Sequence, residues 1–127
     1  MKVPSALILS PDPVASALIA AAAELASITI VFPDPGEGVR DALRRLRPSV
    51  VLADCDRDDA TSEAFVGPAM MTGARVGIFC SATNPQATGR SRTLAERYDL
   101  AFFSLPDDAD ALHAYLHAVS RDLRGTA

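Results

Sequence analysis

Short, mostly apolar runs alternate along the chain with segments in which apolar residues recur every three or four positions. The short runs cover residues 5–9, 28–32, 50–56, 75–80 and 100–105. Apolar runs of this length, bounded by Pro, Gly or Asp, predict strands, whereas the longer spacing predicts amphipathic helices. The pattern therefore predicts a strand followed by a helix, five times over.

The first helix has the clearest start signal. Asp12 can cap it, with Pro13 at the first helical position. Apolar residues at helical spacing then predict the face that packs on the sheet. We expect that face to consist of Val14, Leu18, Ala22 and Leu25.

The other helices follow from the same spacing. The third is predicted over residues 61–71, with an interruption at Gly67 and Pro68, and the fourth over residues 91–98. The second and last helices have apolar stripes made of Val39, Ala42, Leu43 and Leu46, and of Leu112, Tyr115, Leu116, Val119 and Leu123.

Strands that alternate with helices predict an α/β fold with a parallel sheet and right-handed crossovers. At 127 residues the chain is long enough for one compact domain, so we expect a single domain over 1–127. The alternation does not determine the strand order. The flavodoxin-like, doubly wound order 2-1-3-4-5, with helices on both faces, is the common solution that fits this length.

Charge and composition exclude several functions. The net charge of −4 argues against a nucleic-acid partner, which would require a basic face, and Lys2 is the only lysine. The first apolar run is too short for a secretory signal or a membrane span, so we expect a cytoplasmic protein with no membrane contact. Cys55 and Cys80 are expected to be free thiols in a reducing compartment.

Asp54 stands out because it ends the most apolar of the predicted strands. Ligands of open α/β sheets bind beyond the carboxyl ends of the strands, so an acid at this point is placed for chemistry or metal binding. The alternative is a structural acid that accepts hydrogen bonds from backbone amides. Ser10, Ser81 and Leu105 are expected at the same edge of the sheet.

The chain resembles the receiver domains of bacterial two-component response regulators, which have the CheY-like fold. The resemblance covers about residues 5–123 and rests on Asp54, on the Cys80-Ser81-Ala82 ending of the fourth strand and on residues 102–107, the ending of the fifth strand. It implies that Asp54 is the phosphoacceptor for a histidine kinase. It also implies that Ser81 and Phe102 are the switch residues, with Phe102 lacking the hydroxyl of a tyrosine.

Three positions depart from the family pattern. Ser10 and Pro11 stand where the family has two acids that hold Mg²⁺, and Leu105 stands where it has a lysine. Phosphoryl transfer depends on neutralisation of charge by metal and cationic groups, so we expect impaired phosphorylation of Asp54.

The departures predict a degenerate receiver, or pseudo-receiver, that acts by protein–protein contact within a two-component or phosphorelay pathway. The expected partner is a histidine kinase or another signalling protein. The resemblance implies a partner surface formed by the fourth helix, fifth strand and fifth helix, and a homodimer through the same surface.

Two other functions stay open. The domain could be a phosphorylatable receiver in which Asp54, with Asp12 and Asp56, binds Mg²⁺. It could also be a small α/β enzyme or ligand-binding domain, which a metabolite-sized pocket beside Asp54 would favour.

Three weaker signals have ordinary interpretations. Gly36-Glu37-Gly38 lacks the third glycine of a dinucleotide loop and predicts a turn with a helix start. Cys80 lacks the arginine that a cysteine-dependent phosphatase needs six positions later, where Gln86 stands, so we interpret it as a structural thiol. His113 and His117 have zinc-binding spacing without a third ligand nearby, and we place them at the solvent edge of the last helix.

Overall fold

The computed structural model describes residues 3–81 and 85–125. Its strands and helices alternate in the order β1 (Ser5–Leu9), α1 (Pro13–Leu25), β2 (Thr29–Val31), α2 (Val39–Leu46), β3 (Val50–Asp54), α3 (Glu63–Met71), β4 (Arg75–Cys80), α4 (Pro85–Tyr98), β5 (Ala101–Ser104) and α5 (Ala109–Gly125). The sheet is parallel with the order β2-β1-β3-β4-β5. The predicted fold class and strand order are therefore confirmed. Lys2 and Ala82 lie outside the described residues.

Strand β3 occupies the centre of the sheet and is buried along its whole length, as its uncharged sequence predicts. Its alternate residues enter two hydrophobic cores, one on each face. Val51 and Ala53 pack with α2, α3 and α4, whereas Val50 and Leu52 pack with α1 and α5. Helices thus cover both faces of the sheet.

The buried face of α1 differs from the predicted stripe. Val14 and Leu25 are 76% and 68% exposed, and Leu18 is also exposed. The buried residues of the helix are Ala15, Ile19, Ala22 and Ala23. The prediction was wrong for all but Ala22 because alanines lie on every side of this helix, so hydropathy does not distinguish its faces. Burial of the β-branched Ile19 and close approach of the small alanines to the sheet decide which face packs.

The other differences concern element bounds. Helix α3 begins at Glu63 and continues through Gly67 and Pro68, because Phe65, Val66 and Ala69 pack into the core and outweigh the local preference for a break. Helix α4 is longer than predicted, while β2 and β5 are shorter. Among the described residues, no helix combines the length and apolarity needed to cross a membrane.

Candidate functional site

The parallel register brings four strand ends together at the carboxyl edge of the sheet. Leu9 pairs with Ala53 and Asp54 pairs with Phe79. Ser10, which follows β1, therefore lies beside Asp54, the last residue of β3. Ser81 and Leu105 follow the neighbouring strands β4 and β5.

Asp54 is fully buried, and both of its carboxylate oxygens accept hydrogen bonds. The Ser10 hydroxyl donates to Oδ2 at 2.6 Å. The backbone N–H of Asp56 donates to Oδ1 at 3.0 Å, closing a turn directly after the strand. The carboxylate is thus engaged by the protein on both sides, and its side chain offers no surface to solvent.

Asp12 belongs to the same network but does not contact Asp54 through its side chain. Its backbone N–H donates to the Ser10 hydroxyl at 3.0 Å. Its carboxylate caps α1 by accepting from the Val14 N–H at 2.9 Å, as predicted, and accepts from the Ser81 hydroxyl at 3.2 Å. A chain of hydrogen bonds therefore links the ends of β4, β1 and β3, with Ser10 as the bridge to Asp54.

Burial raises the pKa of Asp54 above its ordinary value, because a low-dielectric environment disfavours the ionised carboxylate. The hydrogen bonds from the Asp56 N–H and Ser10 act in the opposite direction and lower the pKa. The nearby carboxylates of Asp56 and Asp12 add to the rise. The protein environment therefore favours the protonated form of Asp54 more strongly than water does, and it disfavours the nucleophilic carboxylate.

The residues at this edge do not fit the Mg²⁺ site that the resemblance implies. Asp54, Cys55 and Asp56 offer ligand atoms within 4.8 Å of one another, but this group, the one found in the described ranges, leaves out Asp12. Mg²⁺ requires oxygen ligands in near-octahedral geometry, and the Cys55 thiol, whose pKa is raised by burial, is a poor ligand for it. Pro11 has no ligand atom in its side chain.

Leu105 fills the position of the family lysine with an apolar side chain that packs into the core with α1 and α5. Beside it is a small cavity of about 230 Å³. Its lining includes Asp12, Val14, Leu18, Ser81, Leu105 and Pro106. Asp54 does not line this cavity, and the volume is below the range of about 300–1,000 Å³ for ligand pockets. This cavity therefore does not supply the metabolite-sized pocket beside Asp54 that would favour an enzyme.

Phe102 lies on β5, half-buried against the core, and the Arg92 guanidinium of α4 lies 4.6 Å from the centre of its ring. This cation–π contact holds the ring against α4. Ser81 and Phe102, the two predicted switch residues, thus both have partners, but Ser81 bonds to Asp12 and not to Asp54.

The weaker candidates keep their ordinary interpretations. Gly36, with φ of +78°, lies in the turn before α2, which starts after Gly38. Cys55 and Cys80 are free and buried, and burial raises the pKa of both thiols. Neither His113 nor His117 belongs to a metal-sized group among the described residues.

Sequence reasoning missed two partners in this region. The family pattern marks Ser10 only as a position without an acid, although Ser-Pro-Asp after a strand is typical of a turn in which the hydroxyl accepts from a backbone N–H two residues later. The second partner is Arg92. Its position on a polar helix preceding a strand gives no signal that it reaches a ring on that strand.

Structure comparison finds solved receiver domains with the same fold. The response regulator from Thermotoga maritima is 12% identical, with a TM-score of 0.64 over 94% of this chain and 99% of that one. The signal receiver domain of a modulated diguanylate cyclase from Desulfovibrio desulfuricans G20 is 20% identical, with a TM-score of 0.65 over 99% and 100%. The Vibrio cholerae chemotaxis protein CheY4 is 15% identical, with a TM-score of 0.63 over 93% and 99%. No protein-family model and no curated protein matches the sequence. At these identities the likeness establishes the receiver fold.

Proposed function

We propose that this chain is a receiver-like signalling domain that acts through protein–protein contact and does not depend on phosphorylation of Asp54. One observation carries the proposal. The carboxylate at the phosphoacceptor position is buried with both oxygens hydrogen-bonded to Ser10 and to the Asp56 N–H. The surrounding positions that would supply charge to a phosphoryl group hold Ser10, Pro11 and Leu105.

Phosphorylation of Asp54 would have to overcome three obstacles. The attacking oxygen must leave a hydrogen bond, the acid must be ionised against a raised pKa, and the developing charge must be stabilised without the family lysine. A charged hydrogen bond of the lysine type contributes about 1.5–3 kcal/mol, and each 1.36 kcal/mol is about a tenfold change in rate. Loss of the metal-binding acids adds to this, so transfer slows by several orders of magnitude.

The partner surface in this proposal is formed by α4, β5 and α5. The exposed side chains of α4 include Arg90, Arg92 and Arg97, and α5 exposes Asp110 and Arg121. Charged rims of this kind favour specificity and fast association with a complementary signalling protein, such as a histidine kinase. The contact of the Arg92 guanidinium with the Phe102 ring favours one position of the ring, and hence one shape of this surface.

The test is phosphoryl transfer measured by intact mass. The wild-type chain, incubated with acetyl phosphate and Mg²⁺, is expected to gain no phosphoryl mass. The positive control restores the family pattern in one variant that carries Ser10→Asp, Pro11→Asp and Leu105→Lys, and it is expected to gain Mg²⁺-dependent modification. The matching variant with Asp54→Asn in addition should lose it. Modification of the wild type that disappears in Asp54→Asn would overturn the proposal.

A phosphorylatable receiver remains the second candidate, and the proximity of the Asp54 and Asp56 carboxylates favours it. This function requires Mg²⁺ to bind at that pair. Titration with Mg²⁺ to millimolar concentration, followed by NMR at the Asp54 and Asp56 amides, distinguishes the two functions. Saturable shifts that Asp56→Asn abolishes would support this candidate, and unchanged spectra would support the contact-only function.

A further inference from the structure

Cys55 and Cys80 are the two cysteines of the chain, and the fold places them side by side. The register pairs Asp54 of β3 with Phe79 of β4, so the residues that follow them also lie opposite each other. The Cys55 N–H donates to the Phe79 carbonyl at 2.9 Å, which continues the pairing beyond the end of β3. Both cysteine side chains belong to the hydrophobic core on the face of the sheet that α2, α3 and α4 cover.

The two thiols are hydrogen-bond partners. Burial is the largest cause of the raised pKa of both groups, and their mutual hydrogen bond adds to the rise for Cys55 and opposes it for Cys80. Neighbouring strands lie about 4.7–4.9 Å apart, which is within the Cα separation of about 4.4–6.8 Å that a disulfide requires. A bond between the two sulfur atoms therefore needs only a small approach of the two strand ends.

We propose that Cys55 and Cys80 form a reversible intramolecular disulfide when the folded chain meets hydrogen peroxide, and that this bond locks β3 to β4. The structure contains the pair in the thiol form. The two thiols together lose two electrons and two protons, and the peroxide is reduced to two molecules of water. This inference does not depend on whether Asp54 accepts a phosphoryl group, so it goes beyond the proposed function.

The reaction has two steps, and hydrogen bonds determine which sulfur reacts first. The Cys80 sulfur attacks a peroxide oxygen, the O–O bond breaks, and Cys80 becomes a sulfenic acid as one water leaves. The Cys55 sulfur then attacks the Cys80 sulfur, the S–O bond breaks, and the hydroxyl group leaves with the Cys55 proton as the second water. The side chains of Cys55 and Thr88 both direct hydrogen bonds to the Cys80 sulfur, and such bonds stabilise negative charge on it.

Burial determines which oxidants can react with this pair. Cys55 is 0% exposed and Cys80 is 4% exposed. Burial also keeps both thiols protonated at neutral pH, so the reaction is slow. We therefore expect oxidation by millimolar hydrogen peroxide, which is small and uncharged, and not by a bulky oxidant such as glutathione disulfide. The same enclosure keeps the thiols of a second copy away, so the product is intramolecular.

The disulfide closes a loop over residues 56–79, which contains α3 and nearly all of β4. A crosslink of this kind restricts the unfolded chain much more than the folded chain, in which the two ends of the loop already lie together. We therefore expect the oxidised fold to be the more stable one, with an equilibrium constant for unfolding that is at least tenfold smaller.

The first test is the intact mass of the full chain after peroxide treatment and alkylation in denaturant. The wild type is expected to lose the mass of two hydrogen atoms and to take up no alkyl group, and dithiothreitol should reverse both changes. Cys55→Ala and Cys80→Ala are the matched controls, since each keeps one thiol at its own site and is expected to gain oxygen. A wild type that keeps two alkylatable thiols, gains oxygen without losing hydrogen, or forms crosslinked dimers would overturn the inference.

Urea unfolding of the oxidised and reduced wild type tests the lock between β3 and β4. The oxidised chain should unfold at a higher urea concentration, and a protease that cleaves the unfolded chain should degrade it at least tenfold more slowly. The same peroxide treatment should not raise the unfolding midpoint of Cys55→Ala. A disulfide that forms but leaves the midpoint of the wild type unchanged would contradict the lock.

Discussion

Asp54 combines a predictable position with an unpredictable environment. Its place at the end of β3 follows from the uncharged run 50–53 and the acid that ends it, because such a run forms the central strand of a parallel sheet. Its bond to Ser10 could not be predicted, because residues 44 positions apart meet only once strand order and register are fixed. The resemblance identifies Ser10 as a departure from the acid that the family has at this position. The structure shows that the same residue also makes a hydrogen bond to Asp54.

Asp54→Asn is expected to stabilise the fold at neutral pH, by about 1 kcal/mol. The raised pKa of Asp54 means that the neutral acid is the form that suits the folded state, so this contribution to stability is lost as pH rises through the folded-state pKa. An amide removes the buried charge, and the Ser10 hydroxyl can turn to accept from it. Urea unfolding at neutral pH measures the gain.

The pH dependence provides the control for this prediction. At a pH below the unfolded-state pKa of Asp54, the aspartic acid is protonated and is as neutral as the asparagine of the variant. The gain in the free energy of unfolding from Asp54→Asn should therefore disappear. Asp56→Asn, at an exposed position, should lack the gain at neutral pH. A gain from Asp54→Asn that is equally large in acid would show that charge is not its cause.

Glu37 is a second residue whose ionisation the fold controls. It accepts from Arg45 Nε at 2.8 Å, from Arg45 Nη2 at 2.7 Å and from the Asp34 N–H at 2.9 Å. These bonds, chiefly those from Arg45, lower the pKa of Glu37 to about 2. The lowered pKa contributes stability that is present above the unfolded-state value of 4.5 and is lost as pH falls towards about 2.

We expect NMR titration to give a pKa of about 2 for the Glu37 carboxyl. Arg45→Gln should return the pKa towards its ordinary value. Arg44→Gln, which removes an arginine that pairs with Asp41, should leave the Glu37 pKa unchanged. Equal effects of the two substitutions would mean that general charge, and not the bidentate contact, lowers the pKa.

At the scale of the elements, prediction succeeded where hydrophobic contrast is strong. The observed bounds of β1 and β4 agree with the prediction, because polar residues, proline or glycine mark the ends of these apolar runs. The buried stripe of α5 also agrees, because its apolar positions are clearly separated from polar ones. Helix α1 lacks that contrast because alanine occurs on all its sides. Helix α3 was predicted with a break because the burial of Phe65 and Val66 is a tertiary effect that local preferences do not include.

Two glycines test how tightly the elements pack. A Cβ at Gly77 in β4 would lie 3.0 Å from Leu52 Cδ2, and Leu52 is fully buried in the packed core and has little room to move away. Gly77→Ala should therefore destabilise the fold by about 1–3 kcal/mol through overpacking. A Cβ at Gly67 within α3 would meet nothing within 4 Å, so Gly67→Ala should stabilise it by about 0.5–1 kcal/mol. Urea unfolding of both variants measures whether the free energy of unfolding falls in Gly77→Ala and rises in Gly67→Ala. Equal effects would contradict the close packing of Leu52 on β4.

At the scale of the whole molecule, alternation alone allows several strand orders, and the order 2-1-3-4-5 is predicted as the common doubly wound solution that fits the chain length. The structure adds that one sheet separates two cores, with Ile19 in the core of α1 and α5, and Ile78 in the core of α2, α3 and α4. Both cores share β3, so we expect the molecule to unfold in a single transition.

Ile19→Val and Ile78→Val test this arrangement, since both side chains are fully buried on opposite faces of the sheet. Each substitution is expected to cost about 0.5–1.5 kcal/mol. Their effects should add to within about 0.5 kcal/mol in the double variant, because the sites share no partners. Chemical denaturation gives all three values, and strong coupling would mean that the two cores are not independent.

The Ser10 hydroxyl donates to Asp54, and the Ser81 hydroxyl donates to Asp12. Under the proposed function, the carboxyl edge keeps this arrangement whether or not a phosphoryl donor is present, and a kinase cannot turn such a domain on and off. A cell that uses it must instead vary how many copies it holds, through synthesis and proteolysis. The resistance of the folded chain to proteolysis then helps to set the strength of the signal.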